Sequence, residues 1–264
     1  MTEKSTVNSS GVVLAGGVLA LAAIAAYHGS FSVPFFFDDR AQITDNPTIR
    51  HLWRLKTVLV PPMNAGVGGR PLLNFSFALN YALGGMNVWG YHALNLLIHI
   101  CGGLALFGIV RRTLDGKFRN SNFENRNLCA FAVALIWLLH PLQTEAVTYV
   151  AERAESMMGM FYLLTLYFFI RSVEPVEVGR RAPATPSVRN SGGDEGVAGA
   201  RRPTFAALSI LACFLGICTK EVVVTAPVIV LLYDRTFVSG TFLAAWRRNW
   251  RLYSGYAGTW LLLA

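Results

Sequence analysis

Seven apolar stretches alternate with polar segments along this chain: Gly11–Tyr27, Tyr91–Val110, Leu128–His140, Met157–Ile170, Phe205–Cys218, Val222–Tyr233 and Tyr253–Ala264. A helix crossing ~30 Å of hydrocarbon needs about 20 apolar residues. Several stretches are shorter, so their helices are expected to draw on flanking residues or to tilt little. The pattern predicts an all-α protein, a polytopic membrane helix bundle of about seven spans. The first stretch has the length of a signal sequence, but Phe31–Phe37 is bulky where a cleavage site needs small residues. It is therefore expected to remain as an uncleaved signal anchor.

The polar segments differ in kind. The long first loop, residues 29–90, contains Trp53, Trp89 and the apolar run Leu72–Leu83. It is expected to be folded and membrane-hugging, a structured external loop with short helices of its own. Long structured loops usually carry function. Residues 172–203 are rich in Pro, Gly, Ser and Arg without apolar periodicity, and are expected to form a disordered cytoplasmic loop. The aromatic and basic segment Thr236–Trp250 suits a position in the headgroup plane.

Charge orients this zigzag. With the N-terminus inside, sixteen of the 23 Lys and Arg residues fall on inside segments and seven on outside ones. The same bias resolves Phe205–Tyr233. As one long helix it would place Arg247, Arg248 and Arg251 outside, so a tight hairpin with Lys220-Glu221 at its outer tip is favoured. Composition agrees: 53% of the 264 residues are hydrophobic and only 14% charged, too few to coat a soluble domain. The net charge of +8 lies in clusters flanking apolar stretches, where it meets anionic headgroups, and no nucleic-acid motif accompanies it. Cys101, Cys129, Cys213 and Cys218 all fall in apolar segments and read as small packed residues, not as disulfides or metal ligands.

Candidate chemistry gathers on the outside. Asp38-Asp39 follows Phe35-Phe36-Phe37 at the membrane boundary. Adjacent carboxylates beside an aromatic run are partly desolvated and repel each other, which raises one pKa and suits a general base. Asp39, nearer the loop, is the first choice and Asp38 the second; a solvated turn neutralised by Arg40 is the competing reading. His140 ends the third span, and Glu145, Glu152, Arg153 and Glu155 crowd the short connection after it. Ionisable groups at that depth are costly unless they line a wet cavity. Glu145 and Glu152, seven apart, also fit a solvated helix stripe. Lys220-Glu221 joins two spans without a polar spacer, as part of a site or as a self-neutralising pair. Arg70, Arg153 and Lys220 share a side with the Asp pair and suit a lipid phosphate. His92, Asn95 and His99 form a polar face on the second span, more often interhelical glue than a ligand set. No metal-binding spacing is present, and Gly66–Gly69 lacks the strand and Lys of a phosphate loop.

Four motifs in order carry a resemblance. They are Phe37-Asp38-Asp39 with Asn46-Pro47; Gly69-Arg70-Pro71-Leu72 with Asn80–Gly85 and Tyr91–Asn95; His140–Val147 with Arg153-Ala154-Glu155; and Thr219-Lys220-Glu221 ending in Tyr233-Asp234. Over roughly Phe35–Trp260 the chain is similar to the transmembrane and tetratricopeptide-repeat mannosyltransferases and their bacterial relatives, membrane glycosyltransferases of the C-type fold. The resemblance implies transfer of a sugar from a polyprenyl-phosphate donor to a hydroxyl of a protein or glycan acceptor on the outer or luminal face. It implies a multi-pass protein of the bacterial inner membrane, or of the endoplasmic reticulum membrane in a eukaryote. Asp39 or Asp38 would act as base, Arg70, Arg153 and Lys220 would hold the donor phosphate, and His140, Glu145, Glu155 and Glu221 would shape the sugar and acceptor pocket. The motifs name no cofactor and leave any need for a divalent metal open. No tetratricopeptide pattern follows, and the chain is expected to end within its seventh span, a membrane part without the repeat domain. The rival readings are a non-catalytic membrane anchor and, less favoured, a transporter. Against the latter, the charges cluster on one side and no inverted repeat is visible.

Overall fold

A computed structural model of the chain describes residues 9–63, 65–117, 125–174 and 202–261. Every regular element among these residues is helical. In order they are α1 (Ser9–Tyr27), α2 (Leu55–Leu59), α3 (Pro71–Gly84), α4 (Val88–Lys117), α5 (Arg126–Leu139), α6 (Thr144–Thr148), α7 (Arg153–Val173), α8 (Pro203–Ile217), α9 (Ala226–Tyr233) and α10 (Phe242–Trp260), joined by short 3-10 and π turns. Local chemistry sets several boundaries. Pro71 and Pro203 open α3 and α8, where a missing N–H costs nothing. Gly85, at φ 60° and ψ −125°, takes a positive-φ conformation open to glycine and ends α3. Glu155 lies in the first turn of α7 and Arg171 in its last, each complementing the helix dipole.

The protein is an all-α membrane bundle. Four stretches are long and apolar enough to cross a bilayer: Ser10–Ser32, Val88–Gly116, Arg153–Val173 and Glu221–Ser239. A fifth forms if α5 and Pro141–Thr148, bent by 51° at their junction, count as one broken span. The remaining two apolar stretches behave differently. Helix α8 has 15 residues, which at 1.5 Å per residue is roughly 22 Å, short of the hydrocarbon thickness. Helix α10 fuses much of the expected headgroup-plane segment with the start of the expected seventh span. It is broken by non-helical dihedrals at Asn249 and carries Arg247, Arg248 and Arg251, so it fails the apolarity that a span requires. The cytoplasmic loop expected at residues 172–203 lies, apart from its ends, outside the described residues, as do the last three residues of the chain. All four cysteines are free.

Two buried clusters define opposite ends. At one, Ile43, Ile49, Val58, Leu73 and Phe77 from the loop between α1 and α4 pack on Tyr91 and Ile98 of α4 and on Ala154 and Met157 of α7. At the other, Ile109 of α4 and Phe169 and Ile170 of α7 meet α8, α9 and α10. Helices α4 and α7 therefore run in the same direction, with their N-termini at the loop end. A polar hub stiffens that loop. Asn46 Oδ1 accepts the Thr48 N–H (3.0 Å), its Nδ2 donates to Asn74 Oδ1 (3.0 Å), and Asn74 Nδ2 donates to the Val58 carbonyl (2.8 Å). All three of these side chains are buried, so each bond replaces one that water would otherwise make.

Chain direction reverses at Lys220. Helix α8 starts beside the end of α7, where the Arg202 N–H donates to the Ser172 carbonyl (3.3 Å). It finishes at the loop end, where the Leu72 N–H donates to the Cys218 carbonyl (3.1 Å). Helix α9 then returns, so that Tyr233 Oη meets Thr113 Oγ1 near the far end of α4 (2.8 Å). Phe205–Tyr233 is thus two legs with their turn at the loop end.

Candidate functional site

The segment leaving α1 is pinned by aromatic packing. Phe35 meets Tyr91 edge-on at 5.1 Å, and Phe36 stacks on Tyr149 at 4.6 Å between ring centroids. Phe37 follows at φ 44°, the one described non-glycine residue with positive φ. Left-handed backbone at an aromatic residue costs on the order of 1–3 kcal/mol and persists only where the surroundings enforce it. The enforcement is visible on both sides. The Asp38 N–H donates to Tyr149 Oη (2.8 Å). Asp39 Oδ2 accepts the Phe36 N–H (3.1 Å), and its Oδ1 accepts the Ala151 N–H (2.7 Å).

The two acids thereby acquire different environments. Asp39 is fully buried, with each oxygen bound to main chain, whereas the Asp38 side chain is exposed. Burial pushes the Asp39 carboxyl above its ordinary range, against the pull of the two N–H donors and of Arg153, and the neighbouring Asp38 charge pushes the same way as burial. The geometry reverses the expected order of the pair: Asp39 latches the turn, and Asp38 is the carboxylate an incoming group can reach.

Arg153 is likewise not placed as expected. It is fully buried at the start of α7, where Nε donates to Asn95 Oδ1 (2.6 Å), Nη1 to Ser76 Oγ (3.1 Å) and Nη2 to the Tyr91 carbonyl (2.9 Å). Its guanidinium lies over the Phe77 ring at 4.6 Å. All three nitrogens are engaged and both faces lie among buried side chains, so Arg153 offers no phosphate contact and acts as a tie between α3, α4 and α7. Asn95 also donates to the Tyr149 carbonyl (3.3 Å), which holds the strap that receives Asp39. His92 Nε2 bonds the Val33 carbonyl (3.0 Å) and His99 Nε2 the Leu138 carbonyl (2.9 Å). The polar face of α4 is glue.

The other two cations remain available. Lys220 Nζ pairs with Glu155, not with its neighbour Glu221, and both partners are partly exposed. The Leu72–Cys218 bond sets the start of α3 against the hairpin tip, which brings Arg70 to the same junction. Arg70 is half-buried and makes no side-chain ion pair or hydrogen bond among the described residues. Of the pocket candidates, Glu155 is committed to Lys220, while Glu145 and Glu221 are exposed in first turns of short helices. His140 is exposed, and its Nδ1 accepts the Leu142 N–H (3.2 Å), capping the turn after α5. Glu152 received no role from sequence. Burial and then the charges of Glu155 and Glu145 raise its pKa, Lys220 lowers it, and Asp38 raises it further. Glu152 thus lies within electrostatic reach of Glu155, Glu145, Lys220 and Asp38; the signal for it was its place in the Glu145–Glu155 run.

Two cavities flank α5. One of about 510 Å³ is lined by residues including Tyr27, Ser30, Val33, Thr144 and Thr148, beside the exit of α1. Another of about 440 Å³ runs from Leu106 and Val133 to His140 and Gln143. Among the described residues no three His, Cys, Asp or Glu side chains are grouped to hold a metal ion.

Comparison with known proteins decides the family. Protein O-mannosyl-transferase TMTC1 of Mus musculus is 32% identical over 238 residues, covering 85% of this chain. Its Homo sapiens counterpart is 31% identical over 232 residues, 83% of this chain. The chain is a homologue of the TMTC protein O-mannosyl-transferases. Tmtc3 of Drosophila melanogaster, 30% identical over 173 residues and 59% of the chain, extends the TMTC likeness beyond mammals. The aligned parts make up 22% of the mouse TMTC1, 23% of the human one and 19% of the fly Tmtc3, so the chain spans about a fifth of the length of these relatives. No family model and no solved structure matches the chain.

Proposed function

We propose that this chain forms the sugar-transfer site of a C-type membrane glycosyltransferase that uses a polyprenyl-phosphate sugar and glycosylates a hydroxyl of a protein or glycan acceptor. The printed names of the TMTC relatives favour a protein acceptor and a mannosyl group. The proposed topology counts the seven apolar stretches as spans, with α8 drawing on flanking residues and the stretch from Tyr253 onward as the seventh, and with the loop end facing outward, the periplasm in a bacterium or the lumen in a eukaryote. The observation that carries the reading is the acid pair: a strained Phe37 presents exposed Asp38, and buried Asp39 locks that presentation through two main-chain bonds. A structural turn has no need of this arrangement, whereas a general base needs a fixed and reachable carboxylate.

The step is a single displacement. The acceptor oxygen attacks the anomeric carbon, the bond from that carbon to the donor phosphate oxygen breaks, and the hydroxyl proton passes to Asp38. Polyprenyl phosphate leaves with its charge met by Arg70 and Lys220. Lys220 has three N–H donors, so Glu155 can fix its position while donors remain for phosphate. Arg153 positions the strap and does not touch the donor. Glu152, Glu145, Glu155, Glu221 and His140 border the acceptor side.

Sugar transfer by Asp38→Asn, assayed in membranes with a polyprenyl-phosphate sugar, should fall by roughly 10²-fold or more with thermal stability and donor binding retained. Wild-type transfer by Asp38→Asn would sink the base assignment. A folded wild-type chain that binds donor but transfers nothing would leave the membrane-anchor reading.

A further inference from the structure

At the end of the bundle away from Asp38, arginines outnumber acids among the described residues. Arg112 Nη1 lies 2.5 Å from Glu174 Oε1, and Arg171 Nε lies 3.4 Å from Oε2 of the same carboxylate. Arg111 and Arg126 share Asp115 in the same way, each at 3.6 Å. Among the described residues, Arg112 and Arg171 thus divide the one carboxylate of Glu174. Their side chains are only 18% and 22% exposed, so their charge is partly withdrawn from water and water alone compensates it poorly. Among the described residues the Nε atoms of Arg111, Arg112 and Arg171 are enclosed without a hydrogen-bond acceptor; that of Arg171 lies near Glu174 but out of line with it.

The cluster is also shaped. The Arg171 guanidinium lies 4.3 Å from the Phe205 ring centroid and its Nη1 donates to Tyr167 Oη (3.2 Å); Arg112 lies 5.5 Å from the Tyr167 ring. Aromatic planes therefore fix both guanidiniums with Glu174 between them. Helix α8 begins alongside, with no side-chain cap on its first turn, and adds the positive end of its dipole.

We propose that Arg112 and Arg171, fixed by the aromatic rings, bind the phosphate of an anionic membrane phospholipid and share their donors between that phosphate and Glu174. The site stands independently of the transferase reading. A lipid suits it better than free phosphate, because the cluster lies at the ends of the membrane-crossing α4 and α7, at headgroup depth.

The test is a thermal-shift titration of the purified full chain in neutral detergent with phosphatidylglycerol, phosphatidylcholine or inorganic phosphate. Phosphatidylglycerol should raise Tm saturably, and the other two should not. Arg112→Gln and Arg171→Gln should each move the phosphatidylglycerol midpoint roughly tenfold or more to higher concentration. Glu174→Gln removes the internal competitor and should tighten the midpoint several-fold, and it decides the matter if the arginine variants do not fold. Equal shifts from phosphatidylcholine or from inorganic phosphate would overturn the proposal. So would a Glu174→Gln chain that folds but no longer responds to phosphatidylglycerol.

Discussion

Two buried carboxylates, one at each end of the bundle, serve different ends. Asp39 accepts two main-chain N–H groups, from Phe36 and Ala151, and so closes a loop on a strap 112 residues away. Asp234 accepts from side chains: Ser239 Oγ at 2.7 Å, Asn249 Nδ2 at 2.5 Å and Tyr253 Oη at 2.6 Å. The first sits beside an exposed acid on a strained turn. The second sits in a helical knot that holds the break in α10 at Asn249. Burial and hydrogen bonding are common to both, so neither marks a reactive site. What distinguishes the loop end is the exposed group that the buried one presents.

The sharpest way to break this contrast is at Arg153. Arg153→Met strands Asn95 Oδ1, Ser76 and the Tyr91 carbonyl in a buried setting, and should cost about 3–5 kcal/mol of stability, read as a large loss of Tm in detergent. Normal Tm with lost donor binding would return Arg153 to the phosphate site. The two carboxylates themselves come next. Asp39→Asn turns an amide N–H₂ toward one main-chain donor that cannot rotate away, and should cost about 1–3 kcal/mol. Asp234→Asn can keep its oxygen toward Asn249 and Tyr253 and turn its N–H₂ toward Ser239 Oγ, a hydroxyl that can rotate to accept, so its cost should be smaller, about 1 kcal/mol. Equal losses in the two variants would erase the distinction between main-chain and side-chain partners.

A smaller effect belongs to Lys220 and Glu155. A double-mutant cycle with Lys220→Met and Glu155→Gln should give a coupling of at most about 1 kcal/mol in stability, since both side chains are partly exposed. The same cycle read in donor affinity should show the larger loss for Lys220→Met. Equal losses would make the pair purely structural.

The smallest effect is a pH slope. Burial raises the pKa of both Asp39 and Glu152, so the folded chain holds their protons more tightly than the unfolded chain. Their contribution to stability therefore falls as pH rises from the ordinary carboxylate range through the raised folded values, and acidification from neutrality toward that range stabilises. Glu152→Gln should flatten the Tm–pH profile there, and an unchanged profile would remove Glu152 from the charge-linked group.

Sequence by itself determined the all-α membrane class, the stretches apolar enough to cross a bilayer in α1, α4, α7 and α9, and the motif order, because apolar length acts locally and survives in one dimension. It located the acid pair and the hairpin tip for the same reason: charges next to apolar runs stand out without any fold. Only the tertiary structure decided what each charge does. Asp38 and Asp39 look alike in sequence, and a single left-handed residue separates them into exposed and buried. Arg153 reads as a surface cation until α3 and α4 close over it, and Lys220 finds Glu155, 65 residues back in the chain, before it finds its neighbour. Partner choice depends on distances set by long-range packing, and a pattern along the chain holds no record of them.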